Sequence, residues 1–143
     1  MFRKIKFFLA CLIFFISSSL FAQEAGRNVP AEKSVTFLQQ IMAGEIEKAY
    51  DQVFQGTTIL KDKPQAIEYL KKQTTSEITM YGNLLGYEFV SQKLFGNSVI
   101  REMYFLKTEK VPIVFTFYYY KTSADWTLTK ISFDDDLKVL NNL

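Results

Sequence analysis

The spacing of apolar residues changes once along this chain, at Gly82–Leu84, and that single change limits the folds open to it. Upstream the pattern is helical. Val35, Leu38 and Met42, with Ile41 on the flank, and then Ile46, Ala49, Tyr50, Val53 and Phe54 recur at helical intervals from Glu32 onward. Ala43-Gly44 interrupts the stripe, which predicts two short helices or one broken helix, closed by Gln55-Gly56. Thr57-Thr58-Ile59-Leu60 is β-prone but brief, and reads as a small edge strand or a loop. The next helix has clear punctuation. Asp62 is placed to cap it, Lys63-Pro64 to form its first turn, and Gln65 to complete a capping box. Ile67, Leu70, Thr74, Ile78 and Tyr81 then share one face, and Gly82 is the expected left-handed stop. Thr74-Thr75-Ser76 is the weak stretch, where fraying or a bend is expected.

Downstream the period is two. Leu84 to Leu94, Val99 to Lys107, Val111 to Lys121 and Trp126 to Phe133 read as strands, separated by turns at Phe95-Gly96-Asn97-Ser98, Thr108-Glu109-Lys110 and Thr122-Ser123-Ala124-Asp125. Connections this short make each neighbouring pair antiparallel. In the last strand Trp126 and Leu128 share one phase while Ile131 and Phe133 share the other. Burying all of them on one side requires a bulge or bend near Thr129-Lys130. The expectation is an α+β fold, N-terminal helices packed on a four-stranded antiparallel meander.

The first residues carry an address rather than a fold. Arg3, Lys4 and Lys6 precede an unbroken apolar run from Phe7 to Ile16, and Ser17-Ser18-Ser19-Leu20-Phe21-Ala22 ends in a small residue. This is the order of a secretory signal peptide cleaved after Ala22, and the run is too short for an ordinary transmembrane helix. The chain therefore divides into a signal at 1–22, a flexible leader at 23–31 and one domain at 32–143, exported to the periplasm or beyond. Reading Phe8-Leu9-Ala10-Cys11 as a lipoprotein box leaves too short a hydrophobic region, so that alternative is the weaker one. Removing the signal leaves 121 of 143 residues and 14 of 17 basic side chains against all 15 acids, turning a net charge of +2 into −1. No basic field remains in that total for nucleic acid or anionic lipid, so neither nucleic acid nor, after cleavage, a membrane is an expected partner.

The chain has no histidine, and its only cysteine is Cys11. That removes imidazole acid–base chemistry, Ser-His-Asp and Cys-His nucleophiles, disulfides, and nearly all zinc and copper sites from the domain. No cofactor is expected. The eight Phe and eight Tyr left after the signal, with Trp126, are ample for a packed core.

Two segments carry a family resemblance. Phe37-Leu38-Gln39-Gln40-Ile41-Met42-Ala43-Gly44-Glu45-Ile46-Glu47-Lys48-Ala49-Tyr50 resembles the opening of small NTF2-like (cystatin-like fold) domains, where a helix breaks at a Gly-acidic pair and the next carries Ala-Tyr. Trp126-Thr127-Leu128-Thr129-Lys130-Ile131-Ser132-Phe133-Asp134 is similar to their last strand, and the Tyr81-Gly82 step also fits. The resemblance spans about Glu32 to Asp136. It implies a strongly curved sheet wrapped over the helices as a cone, with a pocket at the open end. The family hosts isomerases, dehydratases, transport factors and assembly modules, so it does not select an activity. Where its members are catalytic, an Asp, Tyr or His inside the cone commonly serves, and no such motif carries over here residue by residue.

Glu102 is the leading chemical candidate, since it shares a strand face with Ile100, Tyr104 and Leu106. An acid in that setting has a raised pKa and suits general acid–base work. Arg101 lies on the other face among Val99, Met103 and Phe105, so which face is inside stays open. The ordinary alternative is a half-exposed sheet residue. Tyr50, Tyr81 and Trp126 are the remaining pocket candidates, against the plainer reading of core aromatics. Asp134-Asp135-Asp136 invites a calcium site, but consecutive strand residues alternate in direction, so a solvated strand end is the better account. Tyr118-Tyr119-Tyr120 divides between core and surface, with Tyr118 and Tyr120 capping a pocket or meeting a second subunit. Lys71-Lys72 and Glu45/Glu47/Lys48 read as wet helix faces. The functional expectation is a non-catalytic exported domain that binds a small apolar ligand or a protein partner, as a homodimer through its sheet face. Two alternatives stand beside it, a structural or inhibitory interaction module and an isomerase-like enzyme using a pocket carboxylate and tyrosine.

Overall fold

A computed structural model describes residues 28–123 and 125–142. The signal peptide, Cys11 and the leader up to residue 27 lie outside the described residues. Helix α1 runs Asn28–Met42, so it begins four residues before Glu32, inside the stretch read as leader. Pro30 suits that first turn, where no intrahelical N–H is required. Its buried face is Ser34, Phe37, Leu38 and Ile41, while Val35 and Met42 are only partly buried. The face is thus rotated toward the bulkier Phe37. Gly44, at φ 77°, then reverses the chain in the left-handed region before α2, Ile46–Val53.

Thr57–Leu60 is neither strand nor loop. Ile59–Asp62 forms a one-turn helix, α3, closed by bonds from Lys61 and Asp62 N–H to the Thr58 carbonyl. Ile59 and Leu60 tuck against the core, and that burial outweighs a weak β preference. Asp62 consequently ends α3 instead of capping α4, Pro64–Tyr81, whose N-cap position is held by Lys63 without a side-chain bond. Nor does α4 break at Thr74–Ser76. The Thr74 hydroxyl is engaged by Tyr50, and the hydroxyls of Thr75 and Thr79 donate back to the Lys71 and Thr75 carbonyls. Gly82 stops the helix with φ 91° and ψ −160°, a positive-φ extended conformation rather than a left-handed helical one. A Cβ there would sit 2.6 Å from Glu109 Oε2.

Strands β1 (Leu84–Phe95), β2 (Val99–Thr108), β3 (Ile113–Lys121) and β4 (Trp126–Asp134) pair antiparallel in the order of the chain, and a 3₁₀ turn covers Leu137–Asn142. Among the described residues the domain is α+β, with helices followed by an antiparallel meander that does not close. Tyr118 pairs with Lys130 but Tyr119 with Leu128, so Thr129 is the extra residue of a bulge. That lets Leu128 and Ile131 both enter the core. Two further register shifts, at Leu84/Gly86 and Phe89/Ser91, interrupt β1.

The helices cover the face that carries Ile100, Glu102, Tyr104 and Leu106 of β2 and Ile113, Phe115, Phe117 and Tyr119 of β3. Phe37 joins the two layers, its ring 4.9 Å from Tyr50, 5.7 Å from Phe115 and 5.5 Å from Phe117. The Tyr50 and Phe117 contacts are edge-on, each worth about 0.5–1.5 kcal/mol beyond the area buried. The direction of α1 follows from its contacts. Ser34 meets Tyr119, near the β1–β2 turn end, whereas Gln39 reaches Tyr87, which pairs with Leu106 at the far end. The start of α1 therefore lies at the same end of the molecule as the β1–β2 and β3–β4 turns.

Candidate functional site

Glu102 lies on the helix-covered face of the sheet and has no exposed surface. Pleat alternation sends it inward from β2, opposite Gln92 of β1 and Phe117 of β3. Its carboxylate is enclosed. Ser34 Oγ donates to Oε2 at 2.7 Å and Gln92 Nε2 donates to Oε1 at 2.7 Å. With the Ser34 proton committed to Glu102, the Tyr119 hydroxyl donates to Ser34 Oγ at 2.8 Å, forming a chain Tyr119–Ser34–Glu102. Burial lifts the Glu102 pKa above the ordinary carboxylate value, with the Ser34 and Gln92 bonds acting in opposition. Burial also pushes the Tyr119 and Tyr104 hydroxyls far above the usual tyrosine range, reinforced by the neighbouring Glu102 charge. This chain of buried groups ties α1 to β2 and β3 at one point, and the exposed Gln92 adds β1. Both carboxylate oxygens are thereby occupied as acceptors.

The other sequence candidates do not converge on it. Tyr50 is fully buried between α1, α2 and α4, its hydroxyl 2.7 Å from Thr74 Oγ1. Tyr81, at the C-terminal end of α4, donates a hydrogen bond to Asp135, which pushes its own pKa up. Trp126 sits at the opposite end of the sheet, paired with Lys121, whose ammonium lies 5.8 Å from the indole. The four candidates are therefore spread along the length of the domain. Asp134, Asp135 and Asp136 are exposed and separately engaged, with the Asp136 and Lys138 N–H groups donating to Asp134 and Asp136. Partial burial and the Asp135 and Asp134 charges raise the pKa of nearby Glu77.

Lys71 departs most from its sequence reading. It is 5% exposed, not part of a wet face, and its Nζ reaches Glu47 at 2.8 Å, Asp51 at 2.9 Å and Glu68 at 2.8 Å. Burial alone lowers an ammonium pKa, but the three carboxylates outweigh it and raise Lys71 above its usual value. The cluster clamps α2 to α4. Both Ser34 and Lys71 carried a signal in the sequence. Ser34 precedes Phe37 and Leu38 by helical steps, and Lys71 falls between Ile67 and Thr74 on the buried face of α4.

A shallow groove of about 500 Å³ lies elsewhere, between α1 and the end of α2, with Phe37 and Val53 at its floor and Glu32, Lys33, Gln40 and Gln52 among its walls. None of the sequence candidates lines it. On the sheet face turned away from the helices, cations cover rings. Lys93 and Arg101 lie 5.5 and 5.6 Å from Phe95, and Lys130 lies 5.6 Å from Tyr118. Exposed apolar side chains also lie along β1, an edge strand, where Leu85 is 63% and Phe89 55% exposed, the Phe89 ring meeting Tyr104 edge-on at 5.5 Å. Comparison with family models, curated proteins and solved structures found no match.

Proposed function

We propose that the chain is an exported, non-catalytic domain of NTF2-like shape that binds a protein partner outside the cytoplasm. The apolar side chains of edge strand β1, Leu85 and Phe89, carry this reading, because large exposed apolar groups on a sheet edge favour association. A protein is a better fit than a small apolar ligand for a reason of packing. Tyr50, Glu102, Phe117 and Tyr119 have no exposed surface, so the space a cone would offer is filled by side chains. The Gly44 break, the Ala49-Tyr50 pair and the Trp126–Asp134 strand support the family shape. Photo-crosslinking from position 89 in exporting cells should yield one defined adduct, lost when Leu85→Lys is added. Absence of an adduct, or one indifferent to Leu85→Lys, rejects the reading. Light scattering of the same protein separates a second copy of the chain, the homodimer, from a foreign partner.

One observation favours a second reading, an isomerase-like enzyme. The Tyr119–Ser34–Glu102 chain joins a carboxylate of raised pKa to a tyrosine, the groups such chemistry draws on. A folded Glu102→Gln variant with unchanged ligand binding and turnover rejects it.

A further inference from the structure

We propose that the end of the molecule formed by the β1–β2 turn, the β3–β4 turn and the start of α1 rests on an anionic lipid surface. Leu94, Phe95 and Tyr120 are exposed there, with Trp126 half-buried beside them. Lys93 and Lys121 lie over the Phe95 and Trp126 rings, and Asp125 is the only carboxylate among the described residues of the two turn segments, 93–99 and 120–126, while the start of α1 adds the pair Glu32 and Lys33. Aromatic and aliphatic groups ringed by lysines match the chemistry of the membrane interface. The opposite end has the reverse character. Glu77, Glu109, Asp134, Asp135 and Asp136 collect there, against Lys107, Lys110 and Lys138. A net charge of −1 for the clipped chain thus conceals a separation of charge along the molecule that sets one end toward anionic headgroups.

Where the rest of the chain attaches supports the same orientation. Because α1 starts at this end, the residues preceding Asn28 join the domain here. The apolar run Phe7–Ile16 is only residues 17–27 away, a reach of at most about 40 Å when fully extended. Whenever that run occupies a bilayer during export, this end is the one held beside it. Among the described residues no helix is long and apolar enough to cross a membrane, so the contact is peripheral.

The test is sedimentation with vesicles of pure phosphatidylglycerol and of pure phosphatidylcholine, using the chain exported and clipped by a bacterial host. The wild type should pellet with phosphatidylglycerol, less with phosphatidylcholine, and release as salt rises. Leu94→Ser with Phe95→Ser should weaken partitioning about a hundredfold, at about tenfold for each apolar side chain. Lys93→Gln with Lys121→Gln should weaken it several-fold on phosphatidylglycerol only. Met80→Ser, exposed near the acidic end, should match the wild type. The sole tryptophan reports orientation, since vesicles should shift Trp126 emission to the blue. Wild type left in the supernatant, tip variants that pellet unchanged, or Trp126 emission indifferent to vesicles would each overturn the proposal. So would light scattering that gives a dimer which Leu94→Ser with Phe95→Ser converts to a monomer.

Discussion

Replacing Glu47, Asp51 and Glu68 together by alanine would leave the Lys71 ammonium buried without a counter-ion. The cost is asymmetric because only the lysine is out of water, its side chain 6% exposed against 57–74% for its three partners. Each acid removed alone leaves two, so each single variant should lose less than about 1 kcal/mol, as exposed pairs do. The last removal is different. It strands a buried charge, a loss of about 3–5 kcal/mol and a large share of the 5–15 kcal/mol typical of a domain. Lys71→Met keeps the apolar stem and returns three carboxylates to solvent, where mutual repulsion at short range is about 1 kcal/mol. That variant should therefore cost no more than about 2 kcal/mol. Adding it to the triple variant should recover most of the lost stability. Urea denaturation measures all of these, since about 1–3 kcal/mol per molar converts the triple loss into a midpoint shift of about 1 M or more. A triple variant no worse than the sum of its singles, and unrescued by Lys71→Met, would refute a buried cation held by exposed acids.

Glu102 makes a prediction about pH. Its pKa is raised from 4.5, so between that value and the folded one the native state holds a proton that the unfolded chain has released. Stability from this group is full below 4.5 and declines as pH rises through the folded value, the opposite of a salt-bridged carboxylate. Glu102→Gln should flatten that decline, and the difference in urea midpoint between variant and wild type should grow in the variant's favour with rising pH; a difference constant with pH would reject the assignment. Gly82→Ala forces a side chain into a positive-φ conformation and against Glu109, and should cost about 1–3 kcal/mol in thermal or urea unfolding.

The order of elements was legible because the two periods differ and because Gly44, Gly82 and the short turns mark the changes between them. The bulge was legible too, since Trp126 and Leu128 are out of phase with Ile131 and Phe133. Local propensity failed at Ile59–Asp62, where packing against the core decided the conformation, and at Asp62, whose capping geometry was used up by the preceding turn. For the site, Glu102 could be singled out from its apolar neighbours, but not its side of the sheet. That was settled by Ser34 and Tyr119, which lie 68 and 17 positions away in the chain and meet it only through the packing of α1. The place of Lys71 is hidden in the sequence for a similar reason. Its charge suggested water, while its helical position placed it inside, and only the folded arrangement supplies the three acids that reconcile the two.

The additional residue at Thr129 makes the final strand a composite of two reading frames. Pairing that residue into the ladder would restore strict alternation and rotate Ile131 and Phe133 toward solvent, whereas trimming it away would leave Trp126, Leu128, Ile131 and Phe133 in one phase. What the bulge supplies is thus a change of phase that this sequence, at this length, requires. The same sequence held in unbroken register would have to choose which half of its last strand to keep dry.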